Sequence, residues 1–92
     1  MERTYCGHDG IVNAIEFDNW VMSAKGVKRL YYNTAHTLET FAMYRFQDCT
    51  LNFWESGDWH DGAPIEIKVE GDTKKTIDEI CAHIERVYPK LN

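Results

Sequence analysis

The chain has 92 residues, of which 43% are hydrophobic, and its fifteen acidic and ten basic side chains leave a net charge of −5. This describes one globular domain, too short for a second core and too apolar for a disordered chain. The charge opposes direct binding to nucleic acid or an anionic membrane, which needs clustered Lys and Arg, yet it is too mild and dispersed for a DNA mimic.

The one basic cluster, Lys25, Lys28 and Arg29 in "KGVKR", reads as a solvated edge rather than a phosphate track. Aromatic residues reach 13% (three Trp, five Tyr, four Phe), more than so small a core hides, so some are expected at the surface or in an interface. Cys6, Cys49 and Cys81 form an odd set without C-x-x-C spacing and read as reduced thiols. The N-terminus lacks the apolar run of a signal peptide, and no segment has the length to cross a bilayer. The expectation is a soluble, cytoplasmic protein.

In chain order, "DGIVNAIEFDNWVMSAKG" (residues 9–26) allows two readings. One is a helix with Asp9 as cap and Gly26 as terminator. The other is two strands, "IVNAIEF" and "WVMSA", turning at Asp18-Asn19. A helical projection strands Val12 and Trp20 among polar residues and Asp18 and Lys25 among apolar ones. With the β-branched and aromatic content, that favours strands. "VKRLYY" reads as another strand. "NTAHTLETFAMYRF" reads as a short helix capped near Asn33 or Thr34, with Leu38, Phe41, Ala42 and Arg45 along one side.

The second half has clearer periods. "CTLNFW" alternates Cys49, Leu51 and Phe53 against Thr50 and Asn52. "APIEIKVEG" sets Ile65, Ile67 and Val69 against Glu66, Lys68 and Glu70. Both suit an antiparallel sheet covered on one side. In the last segment Ile77, Ile80, Cys81, Ile84 and Val87 form one helical stripe. Asp72 caps it, or Thr76 caps a shorter helix in a capping box with Glu79, and Pro89 closes it. The predicted fold is α+β: an antiparallel sheet of four to five strands, the C-terminal helix packed on one face, and a second short helix mid-chain.

Candidate sites follow from residue types. His8, Asp9, His60 and Asp61 are suitable metal ligands, but no two have an informative local spacing. A metal-dependent hydrolase therefore requires the two "HDG" turns to meet in space. Ser23 and Ser56 lie in no nucleophile elbow, while Cys81 and Cys49 fall on apolar faces. His83 follows Glu79 by four residues in ordinary surface pairing, and nothing singles out His36. With no glycine-rich phosphate loop or dinucleotide fingerprint, neither a cofactor nor an enzymatic activity is expected, and no metal is assigned.

The loop "ESGDWHDGAP" (residues 55–64) exceeds the usual hairpin connection of about two to five residues. Trp59 in it is either an interface anchor or a lid on the core. Glu55, Asp58 and Asp61 would form an acidic rim, with His60 and Trp54 beside it. The expected function is non-catalytic: a small acidic protein that binds and inhibits another protein by occluding a basic, nucleic-acid-binding surface. Size and charge, rather than any motif, match phage anti-defence (anti-CRISPR-like) and toxin-immunity proteins. Self-association through exposed strand edges is the structural alternative.

Overall fold

The computed structural model describes residues 1–33, 39–56 and 63–92. Its elements are β1 (Glu2–His8), α1 (Ala14–Met22), β2 (Lys28–Asn33), β3 (Thr40–Phe46), β4 (Cys49–Glu55), β5 (Pro64–Glu70) and α2 (Lys74–Val87). The strands form one antiparallel sheet in the order β1-β5-β4-β3-β2. Strands β2 to β5 are a meander, and β1 lies beyond β5. The chain between β1 and β2 must therefore cross the sheet from edge to edge, and α1 makes that crossing over β3 and β4. Helix α2 lies beside it over β5 and β1. The α+β class, the antiparallel sheet, the C-terminal helix on one face and a second helix are all present.

The second helix is not where the periodicity placed it. Residues 14–22 are helical rather than two strands. Asn13 caps the helix, its Oδ1 accepting from the Glu16 amide at 2.8 Å, in the usual N-cap manner. Asp18, the residue that spoils the helical projection, is 8% exposed because other elements satisfy it. Arg29 Nε and Nη2 donate to its two carboxylate oxygens at 2.9 and 2.5 Å, and the Tyr44 hydroxyl donates to Oδ1 at 2.9 Å.

Within the expected mid-chain helix, Thr40–Phe46 form β3 instead, with Ala42 and Tyr44 buried and Phe41 and Met43 on the other face. Residues 34–38 lie outside the described residues. Strand β1, which no periodicity announced, buries only Tyr5 fully. Its outer edge is closed by the C-terminus, where Cys6 and Asn92 exchange amide–carbonyl hydrogen bonds at 2.8 and 2.9 Å. The N-cap position of α2 is Thr73 rather than Asp72 or Thr76. The Thr73 hydroxyl donates to Asp48 at 2.6 Å, and Thr76 is buried against the Gln47 side chain. Ile77, Cys81 and Ile84 are buried as the stripe requires. Val87 is exposed, and Tyr88 takes its place in the core.

The core fills the space between the sheet and the helices. Phe17 of α1, fully buried, stacks on Phe53 of β4 with centroids 4.9 Å apart and meets Tyr44, Trp20 and Tyr88 edge-on or tilted. Tyr88 follows α2, so this one ring joins both helices to the sheet. Burying a residue of that size contributes roughly 1.5–3 kcal/mol.

Tyr44 and Asp18 sit under α1 away from water, and burial followed by the neighbouring carboxylate holds the phenol well above its ordinary pKa. Tyr44→Phe removes a donor from a buried carboxylate and should cost about 1.5–3 kcal/mol. Urea denaturation of the two proteins measures this; a loss below about 0.5 kcal/mol would mean that Arg29 alone satisfies Asp18.

Candidate functional site

Two helices cover one face of the sheet, and no described element covers the other. Register places residues on that open face in rows across the strands. One row runs Cys6, Glu66, Trp54, Phe41, Asn33, and the next runs Thr4, Lys68, Asn52, Met43, Tyr31. The β2–β4 half is therefore aromatic and apolar: Trp54, Phe41 and Met43 are half-buried, and Tyr31 is 49% exposed. The Tyr31 and Phe41 rings touch with centroids 6.0 Å apart. The β1–β5 half is charged, and Lys68 pairs with Glu2 and Glu70 at 3.2 and 3.5 Å.

Trp54 is where the two halves meet. Glu66 stands directly across from it on β5, and its indole Nε1 donates to Glu39 just before β3. A tryptophan between two carboxylates combines a large desolvatable ring with charge that orients a partner. Beside it the Asn52 Oδ1 is buried with no hydrogen-bond partner among the described residues.

The same end of the sheet carries more acid. Glu55 ends β4 on the helix-covered side, in register with Thr40 and Ile65, and its Oε1 is buried with no geometric hydrogen-bond partner among the described residues. Burial, then a hydrogen bond that the protonated carboxyl donates to the Asp9 carboxylate and the repulsion between the two charges, push the Glu55 carboxyl up to about 7. Asp9 belongs to a turn after β1 in which His8 Nδ1 accepts from the Gly10 amide at 3.1 Å. The Asp9 amide donates to the Ala63 carbonyl at 2.9 Å, and Ala63 directly follows the second HDG stretch in sequence. The first HDG turn thus abuts the end of the long loop.

Of the residues singled out in sequence, Trp54 lies on the open face and Glu55 faces inward beside Asp9. Asp58, Trp59, His60 and Asp61 lie outside the described residues. Among the described residues no group of three or more His, Cys, Asp or Glu side chains is arranged to hold a metal ion, and no helix is long and apolar enough to cross a membrane. Cys49 and Cys81 are buried and Cys6 is exposed, all as free thiols.

Sequence reasoning missed Phe41, Met43, Tyr31, Glu39 and Glu66 as members of one surface. The available signal was "TFAMYRF", which has large apolar residues at both parities. In a strand, that pattern implies two apolar faces. Comparison with protein families, curated proteins and solved structures finds no match to this chain, so function has to be read from the side chains themselves.

The Glu55 carboxyl gives this end of the sheet a pH dependence. Its folded pKa stands above the ordinary value of 4.5, at about 7. The folded state therefore binds more protons between those pH values, and stability falls as pH rises through that window. Glu55→Gln should raise Tm at pH 8 by about 4–8 °C, the effect of about 1 kcal/mol once the shift is discounted for partial exposure, and leave it unchanged at pH 4. Calorimetry at the two pH values tests this, and equal effects at both would remove the Asp9–Glu55 contact as the cause.

Proposed function

We propose that this protein works by binding another protein through the open sheet face and the acidic sheet end centred on Trp54, and that binding inhibits the partner by covering a basic surface. The observation that carries this reading is the Trp54 ring, set between Glu39 and Glu66 and continuous with Phe41, Met43 and Tyr31 on an uncovered face. A soluble fold has no internal need for three large apolar side chains and a tyrosine on its solvent side.

Charge supports a basic partner. Asp9, Glu39, Glu55 and Glu66 gather at the Trp54 end of the sheet, and the loop leaving that end adds Asp58 and Asp61 in sequence. The basic residues Lys28 and Arg45 pair at the opposite end of β2 and β3. Such a distribution steers a positively charged partner toward one end and fixes its orientation. A nucleic-acid-binding surface is basic in this way, and occluding one is the mechanism used by small acidic inhibitors of the anti-defence and immunity type. Trp59, in the segment between β4 and β5, is proposed from the sequence as a second anchor.

Pairing of β2 with a second copy is the less favourable alternative. The register of β2 shifts between Arg29 and Tyr31, and Lys28 and Arg29 stand on the strand, two features that discourage edge-to-edge addition. The metal-hydrolase reading retains one supporting contact, from Asp9 to Ala63. Native mass spectrometry after dialysis against zinc and manganese decides it, since a stoichiometric bound metal would favour hydrolysis over simple binding.

The direct test is affinity capture from the native host followed by affinity measurement with variants. Trp54→Ala should weaken the complex roughly 30-fold or more, as expected for an interface anchor. Glu39→Gln/Glu66→Gln should mainly slow association and flatten its salt dependence. Full affinity retained by Trp54→Ala, Trp59→Ala and Asp58→Asn/Asp61→Asn alike would place the interface elsewhere.

A further inference from the structure

On the helix side of the sheet, remote from the open face, α1 and α2 leave a groove of about 260 Å³ between them. We propose that this groove binds a small apolar carboxylate, a site independent of the protein-binding surface. Its walls are Trp20 and Val27 from the α1 side, Ile80 from α2, and Phe46 and Leu51 from the sheet. Polar groups near the floor are already engaged: the Tyr44 hydroxyl donates to Asp18, and the Ser23 hydroxyl donates to the Trp20 carbonyl at 2.6 Å. The interior therefore accepts hydrocarbon or an aromatic ring and offers it no hydrogen bond. A cavity of about 150 Å³ holds benzene, so this one has room for about ten non-hydrogen atoms.

The polar groups left over are at the mouth, and they define the head group. Lys25 and Glu79 line the groove, and neither forms an ion pair among the described residues. His83 also lines it, with its Nδ1 2.6 Å from Arg86 Nη2. A guanidinium only donates, so Nδ1 accepts and the ring proton sits on Nε2, which remains as a donor. The mouth thus offers an ammonium and an imidazole N–H against a single carboxylate, with the Arg86 charge behind the histidine. In a chain of net charge −5, this is a local excess of positive charge and of donors. It suits an anionic head group that accepts from Lys25 and His83, and Glu79 sets a limit on the affinity.

Octanoate, octylamine and octan-1-ol share one chain and differ in head group, so titrating each into ¹⁵N- and methyl-labelled protein tests the proposal. Octanoate should shift the Trp20 indole, Ile80 and Val27 signals saturably, at least about fivefold more tightly than the other two, the size of effect an exposed charge pair supplies. Lys25→Gln should erase that preference, and Glu79→Gln should tighten octanoate about two- to threefold. Both positions are exposed, so the variants should keep the parent spectrum. Ile80→Trp, which fills the groove, should abolish binding of all three probes. The proposal fails if no saturable shifts appear at the groove, if octylamine binds as well as octanoate, or if Lys25→Gln leaves the preference intact.

Discussion

Two neighbouring residues in α1, Phe17 and Asp18, hold the structure in its arrangement. Phe17 stacks on Phe53 and reaches Tyr44 and Tyr88, while Asp18 takes donors from Arg29 on β2 and Tyr44 on β3. One residue supplies the apolar burial and the other a directional, charge-assisted tie. Together they fix α1 across β3 and β4, where the crossing from β1 to β2 must run, and they leave the β5 and β1 half for α2. Losing the tie would leave a carboxylate buried without donors, which is costlier than never having placed one there.

Both helices are thereby committed to one side. No other described element covers the opposite side, and Trp54, Phe41, Met43 and Tyr31 stay outside the core. Strand β4 ends beside Trp54 and β5 begins at Pro64 on the same end of the sheet, an end that is already aromatic and acidic among the described residues. The separate groove lies on the helix-covered side, between Trp20 and Val27 on one wall and Ile80 on the other, with Phe46 and Leu51 of the sheet beneath.

Legibility in the sequence tracked how local each cause was. Strands β4 and β5 and helix α2 showed clean periods because each buries one face against one neighbour. Helix α1 was obscured by Asp18, whose burial depends on Arg29 and Tyr44, residues eleven and twenty-six positions away. Strand β3 lost its period of two because Phe41 and Met43 face outward beside the inward Ala42 and Tyr44. Strand β1 gave almost no signal, since an edge strand that fully buries Tyr5 alone has nothing to alternate. Trp54 was visible as a candidate, but Glu66 and Glu39 became its neighbours only through strand register, which no single segment encodes.

The central claim is that the sheet is covered on one face and presents an aromatic contact surface on the other. Hydroxyl-radical footprinting of the free protein, with rates normalised to intrinsic reactivity, measures that sidedness residue by residue. The account predicts rapid oxidation of Tyr31, Met43 and Trp54, slow oxidation of Phe17, Tyr44 and Phe53, and slowing of the first group alone when a partner binds. Trp54 and Met43 as protected as Phe17 in the free protein would contradict it.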